Sequence, residues 1–127
     1  MNLREYIKHN RIIADGAMGT YYASKKQEQL TISEMSNLTE PELIKTIYRE
    51  YIQAGTMLLR TNTFSANVYS LHQEETIREQ VVRQGCRLAK EVENETDSLV
   101  YIAGSIGPVP QHYGVEEDSI LQEYKAI

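Results

Sequence analysis

Three short polar segments carry the residue types that could hold a small ligand. They are Asp15-Gly16-Ala17-Met18-Gly19-Thr20, Thr61-Asn62-Thr63-Phe64-Ser65-Ala66-Asn67 and Gly104-Ser105-Ile106-Gly107-Pro108. Each follows directly on an apolar run that reads as a strand. Carboxylate, hydroxyl and amide side chains, together with N–H groups bared by glycine, bind polar groups well. Open α/β sheets and (β/α)8 barrels build their ligand sites from such residues at the carboxyl ends of successive strands. The pattern therefore points to a binding face and not merely to a core.

The elements that must position these segments alternate along the chain. Residues 3 to 9 read as a short amphipathic lead-in helix, and Arg11-Ile12-Ile13-Ala14 as a short buried strand. Residues 21 to 39 are polar without sustained periodicity, which predicts a long loop containing at most a helical turn. A clear helix follows. Thr39 and Glu42 have capping-box spacing, Pro41 sits in the first turn, and Leu43, Ile44, Ile47, Tyr48, Tyr51 and Ile52 share one stripe up to a stop at Gly55. Met57 to Thr61 is the second strand, and about 74 to 93 the next helix, with Ile77, Val81, Leu88 and Val92 at helical spacing. Leu99 to Ala103 is the third strand, and a further helix starts near Ser119 behind the acidic turn Glu116-Glu117-Asp118. This β-α-β-α-β-α order implies parallel strands with right-handed crossovers.

The chain has 127 residues, roughly half of the ~250 that a (β/α)8 barrel takes. A net charge of −5 with scattered Lys and Arg argues against nucleic-acid binding. No apolar stretch approaches a membrane span, and the first residues lack a signal peptide's apolar core, so the expected location is cytoplasmic. One Cys excludes an intramolecular disulfide or a multi-cysteine metal site. A Rossmann turn would need Gly-x-Gly-x-x-Gly where Gly16 and Gly19 give only Gly-x-x-Gly, and no P-loop motif occurs.

The motifs resemble the homocysteine S-methyltransferase domain of methionine synthases and betaine–homocysteine methyltransferases. The likeness rests on Asp15 to Thr20, Asn37, Glu40-Pro41-Glu42, Tyr51 with Ala54-Gly55, Thr61 to Phe64 with Ala66-Asn67, and Gly104 to Pro108. It covers nearly the whole chain and is greatest to the bacterial branch, which includes proteins fused to a methylenetetrahydrofolate reductase. The resemblance implies a single partial domain over 1–127, the first three β/α units of an incomplete (β/α)8 TIM barrel. It also implies methyl transfer to the zinc-activated thiolate of homocysteine, giving methionine. The family's three zinc-binding cysteines have no counterpart here, so the metal-site expectation for this chain is none, and no residue is assigned as catalytic. 5-Methyltetrahydrofolate is the donor expected for this branch, although no residue here separates it from methylcobalamin, betaine or S-methylmethionine. The substrate-binding residues carried over are Asp15, Gly16, Ala17, Met18, Thr61, Asn62, Thr63 and Phe64. In this reading backbone N–H groups of Gly16, Ala17 and Met18 receive the substrate carboxylate, since a glycine turn lets an anion approach the backbone.

Other conspicuous residues read more plainly. Cys86 is predicted to pack as a small buried hydrophobe, and His9, His72 and His112 are too dispersed for a metal site and are expected to face solvent. Tyr48 and Tyr51 belong to the core stripe, while Tyr21 and Tyr22, directly after the first motif, are candidates for the site. The partners implied are homocysteine, a methyl donor and the C-terminal half of the barrel. The alternative is a non-catalytic segment that serves only in interaction or structure. In either case unpaired strand edges predict self-association, and the chain alone is expected to be inactive.

Overall fold

Asn2 starts the first helix by accepting the backbone N–H of Arg4 on its side chain at 2.8 Å, as N-cap residues do. In the computed structural model, which describes residues 2–27, 32–110 and 115–127, this helix is α1 (Leu3–Tyr6), shorter than the 3–9 predicted. After it come α2 (Gly19–Lys26), a 3-10 turn (Ser33–Met35), α3 (Ser36–Thr39), α4 (Pro41–Gln53) and β1 (Leu58–Arg60). The chain continues through α5 (Val68–Leu71), α6 (Glu75–Glu95), β2 (Tyr101–Ala103) and α7 (Glu117–Ala126).

β1 and β2 pair in parallel with Leu59 opposite Ile102. Ala14 adds one parallel bridge to Leu58, so three strand segments run the same way in chain order. The strand predicted at 11–14 is reduced to that bridge, and it is not buried, since Ile13 is 61% exposed. The carbonyl of Ile13 accepts the N–H groups of Met57 at 2.8 Å and Leu58 at 3.1 Å on one side. The helical core closes over Leu59, Val100 and Ile102 and stops short of this edge.

That core is the apolar stripe of α4 set against α6. Ile44, Ile47 and Tyr48 are fully buried with Leu88, Ala89 and Val92, each large aliphatic side chain contributing about 1.5–3 kcal/mol by leaving water. Tyr48 directs its hydroxyl to the carbonyl of Arg60 at 3.0 Å, tying the helix to the strand end. α4 ends as predicted at Gly55, whose φ of 102° is one that side-chain-bearing residues rarely adopt. Its N–H reaches Ile52 O and that of Thr56 reaches Tyr51 O, the paired bonds of a Schellman stop. Pro41 is the first residue of α4, but the capping box does not form. Thr39 is the last residue of α3, where its hydroxyl turns back to the Met35 carbonyl, and Glu40 takes the N-cap position.

The long loop predicted over 21–39 is instead largely helical where it is described. α2 is fastened to α4 by Tyr21 and Lys25 on Glu50 and by Tyr22 and Lys26 on Glu40. Both tyrosines are therefore spent on docking the helix, and neither lines the cavity described below. Cys86 is exposed, contrary to the packing role predicted for it. Gly85 takes the inward phase of α6, because a Cβ there would lie 2.7 Å from Asn37 Nδ2, and Cys86 is turned to solvent one residue on. His9 and His72 are exposed, and His112 lies outside the described residues. Among the described residues no helix is long and apolar enough to cross a membrane.

A charge cluster joins α4 to α6. Arg49 holds Glu95 at 2.8 Å and Lys45 holds it at 3.2 Å, and these cations pull the Glu95 carboxyl down to about 2. A depressed carboxyl stabilises the fold above its ordinary value of about 4.3, and the contribution disappears as pH falls through about 2. We therefore expect Glu95→Gln to melt below the wild type at pH 7 and the gap to close by pH 2. Thermal melts at both pH values check this, and a gap that persists at pH 2 contradicts it.

Candidate functional site

The carboxyl ends of the three parallel segments converge on a cavity of about 500 Å³. Volumes of this order suit small organic ligands. Asp15 to Thr20 form one part of its lining, Arg60 to Asn62 with Phe64 and Ser65 another, and Ser105 a third. Ile32, Ser33 and Glu34, from the segment before α3, complete it. Seven of the eight predicted residues are thus brought together, and Thr63 is not among those lining the cavity.

The first segment is held by Arg60 and Tyr51. Asp15 accepts from Arg60 twice, from the backbone N–H at 2.9 Å and from Nε at 2.7 Å. Arg60 Nη2 then bonds the carbonyls of Asp15 and Gly16, which folds the guanidinium over the strand end. Gly16 is required by contact, since a Cβ would meet Tyr51 Oη at 2.7 Å, and that hydroxyl donates to the Ala17 carbonyl at 2.6 Å. No described residue accepts from the backbone N–H groups of Gly16, Ala17, Met18, Gly19 or Thr20. They form a run of donors leading into the N-terminus of α2, where the helix dipole also favours an anion.

The second segment is mostly internal bracing. The side-chain amide of Asn62 donates to Ser33 O at 3.0 Å and Asn37 Oδ1 at 2.8 Å, and its oxygen accepts from Ser33 Oγ at 3.1 Å. Thr63 donates its hydroxyl proton to Ser105 O at 2.7 Å, so in its 2.7 Å pair with Thr61 the proton comes from Thr61. Thr61 also accepts from Ser105 N at 3.0 Å. These bonds lock the loop after β1 to the loop after β2. Gly107 completes the lock, with its N–H on Phe64 O at 2.9 Å and no room for a Cβ, which would sit 2.5 Å from that oxygen. Phe64 itself is 55% exposed and, with Met18 and Ile32, gives the cavity an apolar part.

The chain matches the model of the homocysteine S-methyltransferase domain over residues 12–126. It belongs to the homocysteine S-methyltransferase family. It is 32% identical over 122 residues to methionine synthase of Mycobacterium leprae, covering 84% of this chain and 10% of that protein. It is 30% identical over 90 residues to betaine–homocysteine S-methyltransferase 1 of Danio rerio, covering 67% of this chain and 22% of the relative. The chain thus spans a minor part of the curated relatives it matches. In fold it is similar to the homocysteine methyltransferase MmuM of Escherichia coli in its metallated form, with a TM-score of 0.69 and 22% identity over 95% of this chain and 43% of the other.

Four residues that line the cavity, Ile32, Ser33, Glu34 and Arg60, lie outside the three motif segments of the sequence. Arg60 ends an apolar strand, and its position directly before Thr61 was the available signal. Glu34 lies in the stretch read as loop and had no such signal.

The residues present do not fit a zinc centre. Among the described residues no three His, Cys, Asp or Glu side chains converge. The carboxylates lining the cavity are Asp15, already held by Arg60, and Glu34, and Cys86 is out on α6.

Proposed function

We propose that this chain forms the first three β/α units of a (β/α)8 barrel and supplies the part of the site that holds the amino-acid end of homocysteine. In this reading the whole domain transfers a methyl group, with 5-methyltetrahydrofolate as the expected donor, to the homocysteine sulfur, giving methionine. The observation that carries it is the run of free N–H groups from Gly16 to Thr20 beside the Arg60 guanidinium, on a cavity at the carboxyl ends of parallel strands. Such donors suit a carboxylate, and the nearby apolar side chains of Met18, Ile32 and Phe64 suit the methylenes and sulfur that follow it. Activation of the thiol is assigned to residues this chain does not contain, so no turnover is expected from it alone.

An amide-resolved NMR titration with L-homocysteine tests the reading. We expect the resonances of Ala17, Met18, Gly19 and Thr20 to move in a saturable way, while those on the far side of α4 and α6 stay fixed. Movement confined to other residues, or none at millimolar ligand, counts against it.

The same reading includes self-association. Phe64 and Ile106, 55% and 58% exposed, stand with Ile13 as apolar groups open to solvent, and among the described residues β2 pairs along one edge only. Light scattering is expected to return a mass above that of one chain, rising with concentration, and a monomeric mass throughout contradicts this.

A further inference from the structure

The two carboxylates on the cavity lining are treated differently by the fold. Both oxygens of Asp15 accept from Arg60, so its charge is matched. Glu34 is 6% exposed, and its Oε1 accepts the Ser65 N–H at 2.9 Å. No described residue donates to Oε2, and no described Lys, Arg or His pairs with Glu34. Arg60 is the cation on this lining, and its Nε and Nη2 are engaged by Asp15 and Gly16. Oε2 keeps access to the cavity, and a carboxylate oxygen open there without a protein cation is a strong acceptor for a ligand group that brings a positive charge.

We propose that Glu34 Oε2 is the acceptor for the α-ammonium group of the substrate. Asp15 is then a positioning residue that holds Arg60 and the turn from Gly16 onward. This deepens the homocysteine reading and rests on it. It makes Glu34 the residue that separates an amino acid from a thiol acid of the same length. The Ser65 contact fixes one carboxylate oxygen and leaves the other for the ligand, so orientation is set before binding.

The test compares L-homocysteine with 4-sulfanylbutanoate, which keeps the thiol and carboxylate and lacks the ammonium, on the wild-type chain and on Glu34→Gln. The amide side chain retains an acceptor for Ser65. A charge-assisted hydrogen bond predicts that the wild type prefers homocysteine by about 10- to 100-fold. Glu34→Gln is expected to lose that preference while its affinity for 4-sulfanylbutanoate is unchanged. As a second measurement needing no variant, the Glu34 carboxyl carbon resonance should shift with homocysteine and not with the analogue. Equal wild-type affinity for the two ligands, a preference that survives in Glu34→Gln, or a loss shared equally by both ligands overturns the inference and leaves the homocysteine reading standing. Failure of the wild type to bind either ligand overturns both.

Discussion

Glu123→Gln is expected to lower the stability of the chain by about 3–5 kcal/mol, the range for breaking a buried ion pair by removing one partner. Glu123 and Arg78 are both buried, and Nη1 meets Oε2 at 2.6 Å. Glu123 Oε1 also accepts the Val68 N–H at 3.0 Å, so one side chain of α7 ties down α6 and the start of α5. Glutamine has one oxygen where two donors need two, and it leaves the guanidinium buried without a counter-charge. Against the roughly 5–15 kcal/mol by which native domains are stable, this is a large share. The pair is not itself a strong source of stability, because Arg78 Nε is buried with no partner. The double replacement Arg78→Met with Glu123→Leu should therefore recover most of the loss, with a remainder of about 1 kcal/mol for the Val68 N–H. Urea unfolding of the two variants and the wild type checks this. A single variant within about 1 kcal/mol of wild type, on the scale of an exposed pair, would show that the contact is not buried in solution.

What could be read from the sequence was what local spacing determines. The stripe of α4 with its stop at Gly55, the stripe of α6 and the cluster of polar turns after strands all depend on residues within a few positions of one another. The turn from Asp15 to Thr20 was legible for the same reason. What could not be read depends on partners far along the chain. The helices that replace the expected loop are held by Tyr21 on Glu50 and Tyr22 on Glu40, contacts for which local propensity gives no signal. Glu34 acquires its place through Ser65, 31 residues away. Cys86 faces solvent because Gly85, a poor helix former, holds the inward phase of α6, and the reason lies in Asn37 and Thr63 pressed against it. The expected strand at 11–14 had the right composition, but coverage by helices is a tertiary property and stops short of it.

Asn62→Ala is expected to cost about 3 kcal/mol or more, although Asn62 reads in the sequence as one polar loop residue among several. The substitution removes both donors and the acceptor of a buried amide, leaving Ser33 O, Ser33 Oγ and Asn37 Oδ1 without their partner, each at about 1–3 kcal/mol when water cannot replace it. Asn37 is itself buried and bonds Asn62 O at 2.8 Å and Val81 O at 3.1 Å, so the same pair of amides links the 3-10 turn, α3, α6 and the end of β1. Asn67→Ala provides the scale. It removes a single N-cap bond, to Ser70 N at 2.8 Å, for which about 1 kcal/mol is expected. Urea midpoints with unchanged m-values should place Asn62→Ala well below Asn67→Ala, and an equal or smaller loss would contradict the network. Such an outcome would also alter the picture of the site, since Asn62 holds the backbone of Ser33, the residue before Glu34. Asn62 lines the cavity and at the same time fixes through its amide the backbone of Ser33, so the segment that brings Glu34 to the lining is pinned by it.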